Sequence, residues 1–104
     1  MSRVVAPAQP QVYVHGPIRP GLVEYARRKV TAALEHAPRP VLFVKLNLGR
    51  AGAAGTPRPY TVAVHADVSG VDIHVSAAAP TFTEAVDLAQ RKLNARLSRA
   101  DRWR

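Results

Sequence analysis

Lys92, Arg96, Arg99 and Trp103 recur at steps of four, three and four. On a helix those steps place three cations and an indole in one row. Arg91 and Arg102 project to the other side of the same polar surface, and Arg104 carries the charge past the end. After Asp87 the chain holds six Lys or Arg against one acid. Such a row is suited to a polyanion, because a guanidinium can give two parallel hydrogen bonds to one phosphate. Its plainer reading is a solvated helix face whose cations favour the helix C-terminus. Trp103 offers a ring for stacking on a base or for packing on its own domain. A second cationic cluster, Arg27, Arg28 and Lys29, falls in the middle of an earlier helical pattern. With both helices on the same side of a sheet, the two clusters can share one basic surface.

Another chemical constellation is His65, Asp67, Asp72 and His74. If the chain turns tightly at Ser69-Gly70, these four side chains come to one sheet face. Two imidazoles and two carboxylates are ligands for Zn²⁺ or a similar ion. The plainer reading is a polar face with carboxylates beside imidazoles, and no metal is assigned. Ser69, Ser76 and Ser98 lack a nucleophile-elbow context. Gly49 to Gly55 lacks the Gly-Lys-Ser/Thr ending of a phosphate loop. His15 and His36 read as strand and helix-end residues. No catalytic residue and no cofactor is assigned, and the chain does not read as an enzyme.

The whole chain agrees with the basic row. Its 104 residues suit one compact domain, and 47% of them are hydrophobic, which argues against general disorder. Lys plus Arg number 15 against seven acids, a formal net charge of +8. Twelve of those cations are Arg. That balance points to nucleic acid or an anionic surface. There is no Cys, hence no disulfide and no thiolate metal site. No apolar run approaches a membrane span and the N-terminus lacks a signal-peptide core, so a cytoplasmic location is expected.

The elements that must position these residues follow from periodicity. Residues 1–11 read as a tail, and 12–104 as a single domain. Val12 to His15 is a short strand closed by Gly16-Pro17. Pro20 to Ala37 is a helix, opened by a proline that its first turn tolerates and ended by Pro38 and Pro40. Leu22, Ala26, Val30 and Ala33 or Leu34 form its apolar face. Val41 to Leu48 alternates, with Leu42, Val44, Leu46 and Leu48 inward and Lys45 and Asn47 outward. Gly49 to Pro59 is a loop. Tyr60–Val68 and Val71–Ala77 make a hairpin that pairs Val68 with Val71, Asp67 with Asp72, Ala66 with Ile73 and His65 with His74. Thr81 and Glu84 form a capping box for a second helix, whose buried stripe is Phe82, Ala85 or Val86, Ala89, Leu93, Leu97 and Ala100. The order β-α-β-β-β-α predicts an α+β two-layer sandwich, a four-stranded mixed sheet with both helices on one face.

Three stretches in this order resemble a known family. Leu22-Val23-Glu24-Tyr25-Ala26-Arg27-Arg28-Lys29-Val30 is similar to its first helix, with an aromatic four residues before a Lys. Val71-Asp72-Ile73-His74-Val75-Ser76-Ala77 resembles its last strand. Ala85-Val86-Asp87, then Lys92-Leu93 and Leu97, resembles its Ala-Ile-Asp, Lys-Leu helix motif. The family is that of the hibernation-promoting factors, ribosome-associated inhibitors once called sigma-54 modulation proteins. The likeness runs from about Val12 to Arg99. It departs where the family's Asp is Thr81, where its Tyr is Thr83, and where its Arg is Ala95 with Arg96 next door.

The resemblance implies binding to the small ribosomal subunit and its rRNA, in the channel of messenger and transfer RNA, and silencing of translation in stationary or stressed cells. It matches Lys29, Lys92 and Arg99 to basic positions on the RNA-facing helices. It also implies that long members dimerise through a second domain with no counterpart in this chain. The RNA-binding set expected is Arg27, Arg28, Lys29, Arg91, Lys92, Arg96, Arg99 and Arg102, with no membrane partner. The alternatives are a general double-stranded RNA-binding module and a non-RNA protein-interaction domain.

Overall fold

Alternation of buried aliphatic residues, Val, Leu, Ile and Ala, with more exposed ones builds the sheet, and two amphipathic helices close one side of it. The computed structural model describes residues 9–52 and 55–99. Its elements are β1 (Gln11–His15), α1 (Pro20–Leu34), β2 (Val41–Arg50), β3 (Tyr60–Val68), β4 (Val71–Ala79) and α2 (Phe82–Leu97). The strands lie in sequence order, β1-β2-β3-β4, so β1 and β4 are the free edges. β1 runs parallel to β2, and the other two pairings are antiparallel. This is the expected α+β architecture.

The core is one layer between sheet and helices. Val44, Leu46, Leu48, Val62, Val64, Ala66, Val68, Ile73, Val75, Ala77 and Ala79 are buried from the sheet. Ala26, Val30, Ala33 and Leu34 of α1 and Phe82, Ala85, Val86, Ala89, Leu93 and Leu97 of α2 meet them. None of these buried residues is polar or charged. Ala100, expected to extend the α2 stripe, lies outside the described residues.

The hairpin has the register read from its turn: His65 opposes His74 and Asp67 opposes Asp72. Ser69 and Gly70 both take positive φ, 51° and 94°, the backbone of a two-residue turn matched to the sheet twist. Asp67 accepts a 2.7 Å hydrogen bond from the Gly70 N–H and so is committed to the turn. Thr81 caps α2 by accepting from the Glu84 N–H at 3.3 Å. Its hydroxyl in turn donates to the Glu84 carboxylate at 2.8 Å, so the box closes between side chains.

Five readings change, two of them by extension: β2 runs on to Arg50, two residues into the expected loop, and β4 to Ala79 rather than Ala77. Leu42, expected inside, is 62% exposed. The pairing of β2 with β3 slips between Val41 and Phe43, and a slipped residue loses its place in the alternation. Gln11, assigned to the tail, is the first residue of β1, paired with Lys45. α1 stops at Leu34 rather than Ala37, where His36 and Ala37 donate to Ala33 and Leu34 three residues back.

Candidate nucleic-acid interface

The flank of α2 is set by what Leu93 and Gln90 do. Leu93 is fully buried, and Gln90 Nε2 donates to the Lys29 carbonyl of α1 at 3.1 Å. Lys92 stands two residues past Gln90, roughly 200° round the helix. It therefore faces away from α1 and over the β4 edge. There Lys92 Nζ donates to the Ser76 carbonyl at 2.7 Å and Arg96 donates to the His74 carbonyl at 3.2 Å. Lys92, Arg96 and Arg99 are all exposed. None of them is ion-paired with a carboxylate among the described residues. An ammonium has three N–H donors and a guanidinium five, so donors remain for a ligand. The same two bonds blunt the free edge of the sheet, which unpaired strands leave open to other chains.

The α1–α2 seam carries a different group. The Tyr25 hydroxyl donates to Asp87 Oδ1 at 2.7 Å, and Lys29 Nζ lies 5.5 Å from the centre of the Tyr25 ring. The hydrogen bond to Asp87, then burial, then the Asp87 charge raise the Tyr25 phenol above its ordinary value of 10.0. Two motifs read separately in the sequence, the aromatic before Lys29 and the Asp after Ala85-Val86, thus meet in one inter-helix link. Arg28 and Arg91 are exposed on the outer surface of the helix layer. Arg27 turns the other way, roughly 200° from Lys29. Its Nε is shielded from solvent, 3.4 Å from Glu24 Oε2 at charge-pair distance but without hydrogen-bond alignment.

The expected residues therefore form three groups. Lys92, Arg96 and Arg99 line the β4 flank. Lys29, Arg28 and Arg91 belong to the seam and outer surface. Arg27 sits on the far flank of α1 with Glu24. Both helices lie on one side of the sheet, with cations of α1 and α2 together on the seam and outer surface and Lys92, Arg96 and Arg99 on the β4 flank. Arg102, Trp103 and Arg104 lie outside the described residues.

On the helix-free face, the rings of His65 and His74 stack with centroids 4.0 Å apart and planes 14° from parallel. His65 Nε2 is 3.1 Å from Asp72 Oδ1, and Phe43 meets His65 edge-on at 5.5 Å. Lys45 Nζ stands 5.2 Å from the centre of the Tyr13 ring. With Asp67 held by the turn and Asp72 by His65, the four candidate ligands do not converge. No group of three or more His, Cys, Asp or Glu among the described residues is arranged to hold a metal ion. A shallow concavity of about 400 Å³ lies over Lys45, Asn47, Ala63, His65, His74 and Ser76. The sequence placed these residues on one face but gave no sign that the face is concave.

Residues 12–103 match the family described as sigma 54 modulation protein / S30EA ribosomal protein. The chain belongs to that family. Its fold is shared by the N-terminal domain of Protein Y from Thermus thermophilus, at a TM-score of 0.70 and 16% identity over 88% of this chain and 98% of that one. A ribosomal subunit interface protein from Coxiella burnetii is similar at a TM-score of 0.65 and 19% identity, over 88% of this chain and 96% of that one. No curated protein sequence matches. No helix among the described residues is long and apolar enough to cross a membrane.

Proposed function

We propose that this protein is a ribosome-binding translation inhibitor of the hibernation type. It docks its cationic helix surfaces onto small-subunit rRNA and occupies the channel of tRNA and mRNA, so that it excludes both. The observation that carries this is the exposed row Lys92, Arg96 and Arg99, which no carboxylate among the described residues neutralises. Family membership supports it, and so does the likeness to a ribosomal subunit interface protein. The mechanism is occlusion and uses no cofactor. Cations on exposed side chains dock onto phosphates and fix position without reading sequence. A cytoplasmic setting and a role in stress or dormancy belong to the same proposal.

The test is competition on isolated small subunits. Labelled protein bound to subunits should be released by mRNA with tRNA, and should not bind a plain RNA duplex with comparable affinity. A stable complex that holds protein, mRNA and tRNA together refutes occlusion. Equal affinity for the duplex favours the general double-stranded RNA module instead.

A further inference from the structure

The helix-free sheet face has features that occlusion by the helices does not use. Tyr13 is 45% exposed at the β1 edge, with the Lys45 ammonium over its ring. The stacked His65 and His74 rings stand on β3 and β4. The concavity between them shares His74 and Ser76 with a second one that reaches Lys92 and Arg96. Two cations of α2 therefore sit at the rim of the open face, hydrogen-bonded to the β4 backbone that borders it. The carboxylates of this face are already occupied, Asp67 by the Gly70 N–H and Asp72 by His65. What remains for a ligand is positive charge on Lys92 and Arg96, the face of the His74 ring turned away from His65, and the exposed part of Tyr13.

We propose that the open sheet face binds unpaired RNA nucleotides, with Lys92 and Arg96 holding phosphates along the β4 edge while Tyr13 and His74, the latter backed by His65, meet the bases. The inference rests on the RNA-binding reading above and specifies its ligand. Cations at the rim complement a phosphate backbone, and rings on a sheet complement base faces. Base faces are available only where the strand is unpaired, because a duplex stacks them away and offers phosphates and groove edges. Asn47 and Ser76, which line the concavity, supply hydrogen-bonding groups for ribose or base edges. The face is therefore a platform for looped or single-stranded RNA, whereas the outer helix surface suits phosphates of any structured RNA.

The experiment uses the full chain, a mixed-sequence hexaribonucleotide and an RNA hairpin stem of matching length. Imidazole proton resonances of His65 and His74 are followed by NMR during titration with each. The hexamer should move both sets and the stem should move neither. Tyr13→Ala and His74→Ala should each weaken the hexamer by roughly 5- to 150-fold, the value of stacking on one base. Lys92→Ala with Arg96→Ala should weaken it by a comparable factor while the His resonances confirm the fold. Imidazole resonances of the unsubstituted chain that stay fixed at saturating hexamer, or a hexamer that does not bind, overturn the proposal. Small-subunit binding is measured in parallel. Subunit binding that persists with unmoved imidazoles removes only the platform, whereas no subunit binding removes the ribosomal reading itself.

Discussion

Reversing Lys92, Arg96 and Arg99 to Glu separates fold from function, because all three lie outside the buried stripe of Leu93 and Leu97. Each cation that neutralises an RNA phosphate contributes roughly 0.7 to 0.9 to the slope of log affinity against log salt. Three contacts contribute a slope of roughly 2 to 3. A fourfold rise in salt should therefore weaken the unsubstituted chain by roughly 20- to 40-fold through these residues alone. The variant should lose that part of the slope and bind beyond measurable range at physiological salt. Its stability cost comes from the two hydrogen bonds to the Ser76 and His74 carbonyls. Exposed bonds of that kind contribute about 0.5 to 1.5 kcal/mol each. The variant should thus remain folded with a lowered melting temperature. Fluorescence anisotropy with labelled protein and small subunits, over a salt series, gives both affinity and slope. Circular dichroism melts report the fold. A folded variant that keeps the original affinity and slope refutes the role of this flank.

Four further outcomes test the packing behind the surface. Tyr25→Phe removes the 2.7 Å bond to Asp87 and should destabilise the chain by about 1.5 to 3 kcal/mol in denaturant titration, while leaving a helical spectrum. The folded state holds the Tyr25 proton more tightly than the unfolded chain, so its stabilisation is fully present below pH 10.0 and is lost as pH rises through the raised folded value. Stability measured from pH 9 upward should fall more steeply for the unsubstituted chain than for Tyr25→Phe. Leu93→Ala, at a fully buried position of α2, should cost about 2 to 5 kcal/mol by chemical denaturation. Thr81→Ala should cost about 0.5 to 2 kcal/mol in the same assay through loss of the α2 cap.

The sequence was most legible where local chemistry decided the geometry. Ser69-Gly70 set the hairpin register, and with it the pairing of His65 with His74, because a two-residue turn leaves no freedom in the ladder. Thr81 and Glu84 marked the start of α2, and the apolar spacing marked its buried face. Leu42 was not legible. Its alternation with Val44, Leu46 and Leu48 is perfect, and only the slip opposite Val68 and Asp67 turns it outward. The direction of the cationic row was not legible either. Spacing showed that Lys92, Arg96 and Arg99 share a flank. Only packing showed that Gln90 takes the side toward α1 and leaves them the β4 edge. The Tyr25–Asp87 link joins residues 62 apart in the chain, beyond the reach of any periodicity.

Gradient sedimentation of ribosomal subunits mixed with the purified chain gives the most direct answer. At low salt the protein should travel with the small-subunit peak and leave it as salt rises. Protein that stays at the top of the gradient at low salt, or follows the large subunit alone, contradicts a small-subunit rRNA target.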